Sequence, residues 1–468
     1  MKKLCILLFT GIFSFVSFSQ LRLPAIISSG MVLQQNDSAS LWGWANPGEK
    51  IFVTASWNNH LDSTITTNRA GWKIKLKTPA AGGPYSITLK GSGTIRLDNI
   101  LIGEVWVCSG QSNMEWSYMN GLKDVKDELS SCYNPNIRFF HIPKATAEYP
   151  QDDVKAQWKI CDSNTLKTFS AVGYFFGKKI NKELNVPIGL INSSWGGTPA
   201  EVWTPGEVVN NDVELKMAAS WLQTFRWWPN HAGLCYNAMI APITNYCIAG
   251  SIWYQGESNV NNNSTYQKLF TSMIGAWRKA WKKEFPFYYV QIAPYKYALQ
   301  NTGALLQEAQ TKSMSYPKTG MVIVTDIIDS VTDIHPSNKH DVGYRLANWA
   351  LAETYNQKGI IYKSPLYKSK EIKNNKIILS FENALNGFAT PAGTAAGFMI
   401  SGAKEEWLPA QIKVERDKII VWNDKLAAPV HVRFAFGNTA IGNIKSKEGL
   451  PLCSFRTDNW QVDQSPVK

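Results

Sequence analysis

Between residues 101 and 358, apolar strand-like runs alternate with amphipathic helical stretches, and this alternation constrains the fold more than any other feature of the chain. The runs at 104–109, 188–193, 250–254, 287–292 and 320–326 are almost continuously apolar. A strand apolar on both faces must be covered on both faces. Connections long enough to hold a helix make the neighbouring strands parallel. The clearest helix is 265–281, where Tyr266, Leu269, Phe270, Met273, Ile274, Trp277 and Trp281 recur at the helical period. A second helix is expected from 337 through Arg345 to 355. The fold class that follows is α/β with a parallel sheet.

The flanks have a different texture. Short runs at 39–44, 51–57, 72–76 and 85–89 are punctuated by Asn46-Pro47-Gly48 and Gly82-Gly83-Pro84, and similar runs return at 376–381, 411–414, 418–422 and 431–436. This spacing predicts β domains over 20–100 and 359–468 around an α/β domain over 101–358, with a hairpin turn at Asp417-Lys418. A chain of 468 residues is too long for one core, which suits that division. Residues 1–19 carry Lys2 and Lys3, an apolar stretch over 4–18 and a small-x-small site at Ser17-Phe18-Ser19. They read as a cleaved signal peptide, so the protein is expected to be exported, periplasmic or extracellular, without a membrane anchor.

Seven cysteines are present, and Cys5 belongs to the leader. Cys108, Cys132, Cys161, Cys235, Cys247 and Cys453 remain for an oxidising compartment, where spacing alone does not assign partners. No C-x-x-C pair and no His cluster has metal-ligand spacing, so no metal or other cofactor is expected. The formal net charge is +12, but the basic residues are scattered apart from RKAWKK at 278–283, on the predicted helix. Nucleic acid is therefore not an expected partner.

Ligands of open parallel sheets bind at the carboxyl ends of the strands. Here those ends carry Ser109-Gly110-Gln111-Ser112-Asn113, then Ser193-Ser194-Trp195-Gly196-Gly197-Thr198, then Gln255-Gly256-Glu257-Ser258-Asn259, and finally Asp326 with Asp333-Ile334-His335-Pro336. Together they supply a nucleophile, backbone donors, a base and an acid, the parts needed for acyl transfer. Ser112 is the candidate nucleophile, at a strand-to-helix junction where backbone N–H groups meet a developing oxyanion. The G-x-S-x-G elbow is absent, since Met114 replaces the second glycine. Of six histidines, His335 alone follows the last parallel strand beside an acid, Asp333.

The segments GEVWVCSGQSNMEW, NSSWGGTPAEVW, WYQGESN and DIHPSNKHDVGYRLA, with MVLQQ and FRTDNW nearer the ends, resemble the sialate O-acetylesterase family of carbohydrate esterases in the SGNH-hydrolase superfamily. The resemblance implies a flavodoxin-like domain that removes O-acetyl groups from sugars without a metal. It implies Ser112 as nucleophile, His335 as base and, with the Ser112 N–H, Gly197 and Gln255 as oxyanion donors. Two departures stand out. Thr332 occupies the place three residues before the histidine where the family's acid usually lies, so Asp333, two residues before it, is the expected orienting acid, with Asp329 or a backbone carbonyl as the alternative, and Gln255 stands where an Asn is usual. The substrate is expected to be an acetylated carbohydrate, either a sialic acid O-acetyl ester or a polysaccharide such as acetylated xylan. Trp116, Trp195, Trp203 and Trp253 lie in or beside the motifs. Trp253 reads as core, whereas Trp195, Trp203, Trp227 and Trp228 fall in loop-like stretches and are candidates for a sugar cleft. Two other readings remain: a non-catalytic carbohydrate-binding protein, and a glycosidase using Glu257.

Overall fold

The computed structural model describes residues 20–389 and 395–467. The predicted leader lies outside them. The organising element is the strand Thr94–Gly110. Its first half pairs with Gly82–Lys90, and Val32–Gln34 runs parallel to it at Leu101–Gly103. Its second half is the middle of the parallel sheet, between Ile188–Ser194 and Gly250–Tyr254. The boundary expected near residue 100 therefore falls inside one continuous strand. The N-terminal β region and the sheet share backbone hydrogen bonds, so no linker separates them.

Across the sheet the order is Thr319–Val322, Phe287–Val290, Gly250–Tyr254, Thr94–Gly110, Ile188–Ser194, Asn134–His141, Trp158–Cys161. All neighbours are parallel except the last, which is antiparallel. Without the pair at 134–141 and 158–161, the order is that of a flavodoxin-like sheet. That edge pair extends the sheet beyond the five strands expected from the apolar runs.

Both faces are covered, as continuous apolar strands require. Val105 and Val107 belong to one core with Trp253, Phe287, Tyr289 and the helix Asn263–Trp281. Trp106 and Cys108 belong to the other with Ile252, Tyr254, Tyr288, Val290 and the helices Ala171–Leu184 and Lys339–Trp349. The 265–281 periodicity is realised, since Tyr266, Leu269, Phe270, Met273, Ile274 and Trp277 are almost wholly buried.

The C-terminal region forms two four-stranded antiparallel sheets around their own core. Its hairpin turn lies one residue earlier than predicted: Glu415 pairs with Lys418, and Arg416 takes a positive φ of 58°. This region is tied to the parallel sheet at Asp326, which accepts a bidentate hydrogen-bond pair from Arg345 and another bond from Lys445. The six cysteines among the described residues are unpaired.

Gly110 ends the central strand at φ +137°, and a Cβ there would lie 2.2 Å from the Tyr254 carbonyl oxygen. Substituting Gly110→Ala therefore combines backbone strain with a clash against a neighbouring strand. We expect a stability loss of about 3 kcal/mol, seen as a lower denaturation midpoint at unchanged m-value.

Candidate active site

The strand ends converge because three backbone segments are pinned at one level. Gln111 N–H donates to Tyr254 O at 3.0 Å, and Trp195 N–H donates to Gly110 O at 3.0 Å. The chain then turns into the single helical turn Ser112–Glu115. A Cβ on Gly196 would sit 3.2 Å from Ser112 Cβ, so the glycine lets the second loop close onto Ser112.

His335 arrives from the loop after the last strand, and its Nε2 lies 2.9 Å from Ser112 Oγ. The ring stacks on Trp116, centroid to centroid 4.0 Å at 21°. Burial and the nearby Lys339 ammonium hold the imidazole below its ordinary pKa, against the opposing pull of Asp333. A neutral imidazole can accept the serine proton, so the shift extends base competence to lower pH.

Asp333 is beside the histidine, but its hydrogen bond is made to the backbone: Oδ1 accepts from His335 N–H at 2.8 Å. Asp329 is engaged elsewhere, accepting from Ser337 N–H at 2.7 Å and Ser337 Oγ at 2.9 Å. It thereby shapes the loop behind Pro336 and does not meet the ring.

The N–H groups of Ser112 and Gly197 make no hydrogen bond among the described residues, and so remain open to a ligand. Gly197 has φ +81°, and its carbonyl accepts from Ser258 Oγ at 2.9 Å. The Gly196 N–H is capped by the Glu115 carboxylate, which also pairs with Lys144.

Gln255 departs from expectation. It is fully buried. Its Nε2 donates to Asn259 Oδ1 at 2.7 Å and Thr198 O at 3.3 Å, while its Oε1 accepts from Tyr266 Oη at 3.0 Å. Both amide protons are committed internally, so none is available for an oxyanion. The third motif braces the site instead: Asn259 donates to Glu201, and Gln111 Oε1 accepts from the Gly256 and Ser258 N–H groups.

Glu257 is buried and accepts from Asn113 Nδ2 at 2.6 Å. Burial raises its pKa. Enclosed beside an amide and a lysine, it has neither the exposure nor the facing carboxylate that a glycosidase needs.

Of the tryptophans, Trp195, Trp227 and Trp228 gather beside the glycine pair. Trp195 Nε1 donates to Trp227 O at 3.2 Å, and Trp228 lies against Gly197, where a Cβ would meet its ring at 2.3 Å. Trp227 is 70% exposed, with the Arg226 guanidinium 5.6 Å from its ring centroid. Trp203 does not line a cleft: it is wholly buried, edge-on to Trp253, with Nε1 donating to Thr198 Oγ1 at 2.9 Å. Trp253 is core, as expected. Trp116, one of the motif tryptophans, covers the imidazole. Lys339 and Asn113 are functional-site residues that local sequence pattern does not single out, although both lie in the strand-end motifs; their side chains meet at 2.6 Å next to Ser112. Among the described residues, no group of three His, Cys, Asp or Glu is arranged to hold a metal ion. No helix among them is long and apolar enough to cross a membrane.

Comparison with known proteins identifies the family. The profile of the family described as carbohydrate esterase, sialic acid-specific acetylesterase matches residues 102–352. Sialate O-acetylesterase of Homo sapiens is 31% identical over 397 residues, spanning 77% of this chain and 76% of that protein. The Rattus norvegicus sialate O-acetylesterase is 28% identical over 84% of each chain. The crystal structure of a carbohydrate acetylesterase from Xanthomonas citri superposes with a TM-score of 0.86 at 32% identity, covering 94% of this chain and all of that one. A profile match over more than half of the chain, a relative aligned over most of both sequences and a strand-end Ser–His pair point the same way: the chain belongs to the carbohydrate esterase, sialic acid-specific acetylesterase family and is a carboxylic ester hydrolase.

Proposed function

We propose that the protein is an exported serine esterase that removes O-acetyl groups from carbohydrates. The observation that carries this reading is the 2.9 Å approach of His335 Nε2 to Ser112 Oγ, beside two unengaged backbone N–H groups. Ser112 Oγ attacks the acetyl carbonyl carbon as its proton passes to His335 Nε2. The Ser112 and Gly197 N–H groups receive the oxyanion. Collapse of the tetrahedral species breaks the bond to the sugar oxygen, which takes the proton from His335. Water then attacks the acetyl-serine with the same base, and acetate leaves with the serine restored.

Asp333 is the orienting acid in this reading, fixing the loop through the His335 N–H and facing the imidazolium with its charge. Trp195, Trp227 and Trp228 form the wall against which the sugar rests. The acetylated sugar in this reading is a sialic acid O-acetyl ester, as the names of the sialate O-acetylesterases indicate, or an acetylated polysaccharide. Export rests on the composition of residues 1–19.

Ser112→Ala should reduce hydrolysis of p-nitrophenyl acetate by about 10³-fold or more, with an unchanged thermal midpoint. Turnover near that of the parent would end the assignment of Ser112.

The acid is separable by two substitutions. Asp333→Asn should lower kcat by about 10²-fold or more, whereas Asp329→Asn, which touches only the Ser337 turn, should act mainly on thermal stability. The reverse order would transfer the role to Asp329.

Trp227→Ala should lower kcat/KM for an acetylated sugar more than for p-nitrophenyl acetate. The small aryl ester uses little of the wall, and the exposed indole packs against little else. Trp228 is the poorer probe because its ring supports Gly197. Equal losses on both substrates would make Trp227 structural and remove the sugar wall from this reading.

A further inference from the structure

Behind the Ser112–His335 pair lies a buried polar chain that the esterase chemistry does not itself require. Asn113, the residue after the nucleophile, is at its centre. Its Oδ1 accepts from Lys339 Nζ at 2.6 Å, and its Nδ2 donates to Glu257 Oε1 at 2.6 Å and to Ile334 O at 3.0 Å. Ile334 is the residue before the base. One carboxamide thus joins the nucleophile's helical turn to the backbone of the histidine loop, with an ammonium polarising one end and a carboxylate the other. Asn113 and Lys339 are completely buried and Glu257 almost so. The Lys339 ammonium also lies 5.8 Å from the centroid of Trp116, the ring stacked on His335, and 5.6 Å from that of Tyr254.

Burying an ammonium and a carboxylate is costly, and apolar residues of similar volume would commonly serve stability as well or better. The chain accepts that cost one residue from the nucleophile and four from the base. We infer that Lys339, Asn113 and Glu257 form a clamp that sets the register of Ser112 against His335, with Lys339 as a positioning residue whose positive field keeps the imidazole a proton acceptor. The inference rests on the proposed roles of Ser112 and His335.

The charged groups around this pocket come from four elements. Asp333 shares the histidine loop, and Asp329 is tied to Ser337 in the same loop. Asp124 caps the next helix through the Lys339 and His340 N–H groups. Glu257 follows the strand Gly250–Tyr254, and Lys339 opens the helix Lys339–Trp349. Of these, Asp333 raises the imidazole pKa and Lys339 lowers it. Lys339 itself is drawn down to about 8 by burial, opposed by the surrounding carboxylates, chiefly Glu257. It is therefore mostly charged where His335, held below its ordinary pKa, titrates.

The signs follow. Lys339→Met removes the cation, so the His335 pKa should rise by roughly half a pH unit to one unit, and the acidic limb of kcat/KM should move up with it. Loss of register should lower kcat by about 10–10²-fold with little change in KM. Asn113→Leu breaks the clamp but keeps the charge, so kcat should fall while the limb stays in place. Lys339→Met leaves Glu257 buried beside no cation. The double variant Lys339→Met/Glu257→Gln should therefore recover part of any lost thermal stability while retaining the shifted limb, and it serves if the single variant fails to fold.

The experiment is an NMR titration of the His335 imidazole, alongside pH–rate profiles of the parent, the Asn113→Leu variant and the foldable lysine variant. A raised His335 pKa with a displaced acidic limb and lowered kcat supports the clamp. An unmoved pKa, or kcat within about threefold of the parent, overturns it. Because the titration does not depend on turnover, failure of the catalytic reading appears separately, as activity that survives Ser112→Ala.

Discussion

The site depends on where one strand stops. Thr94–Gly110 is bonded to parallel neighbours on both sides, and its last carbonyl and the next N–H are taken by Trp195 and Tyr254. Gly110 makes this possible, because only a residue without Cβ passes so close to the Tyr254 carbonyl at that φ. With three strand ends fixed at one level, the loops that follow have little freedom in where they place Ser112, Gly197 and the third motif. The same strand begins in the N-terminal β region, so that region is continuous with the catalytic framework.

A second layer of order is polar and buried. The third strand's Gln-Gly-Glu-Ser-Asn segment, which reads as a donor set, spends its side chains on internal contacts. Gln255 and Asn259 hold each other and Glu201, while Glu257 holds Asn113. Buried amides and carboxylates are costly when unpaired, and these contacts fix one arrangement of the loops, with Glu257 Oε2 the network oxygen that has no partner among the described residues. The N–H groups left unengaged beside the Ser112–His335 pair are the backbone donors of Ser112 and Gly197, in loops held by that bracing. The aromatic residues divide along the same line: Trp116 covers the His335 ring, Trp203 and Trp253 fill the core, and Trp195, Trp227 and Trp228 remain at the rim.

The sequence by itself determined the layered α/β core and the strand ends on which chemistry could be placed. Both rest on local periodicity: near-continuous apolar strands demand two covered faces, and small polar clusters mark where they end. Ser112, the Gly196-Gly197 pair and His335 were legible for that reason, as was the 265–281 helix. Only the tertiary structure decided which way side chains from different strands face. It turned Gln255 inward, engaged Asp333 with a backbone N–H, buried Trp203 beneath the helix Asn263–Trp281 and drew Lys339 onto Asn113. The added edge pair and the continuity of Thr94–Gly110 across the expected boundary were also settled there. The physical reason is one of range. Periodicity within a segment reports how deeply each of its faces is buried, whereas a hydrogen-bond partner hundreds of residues away is chosen by packing that no single segment encodes.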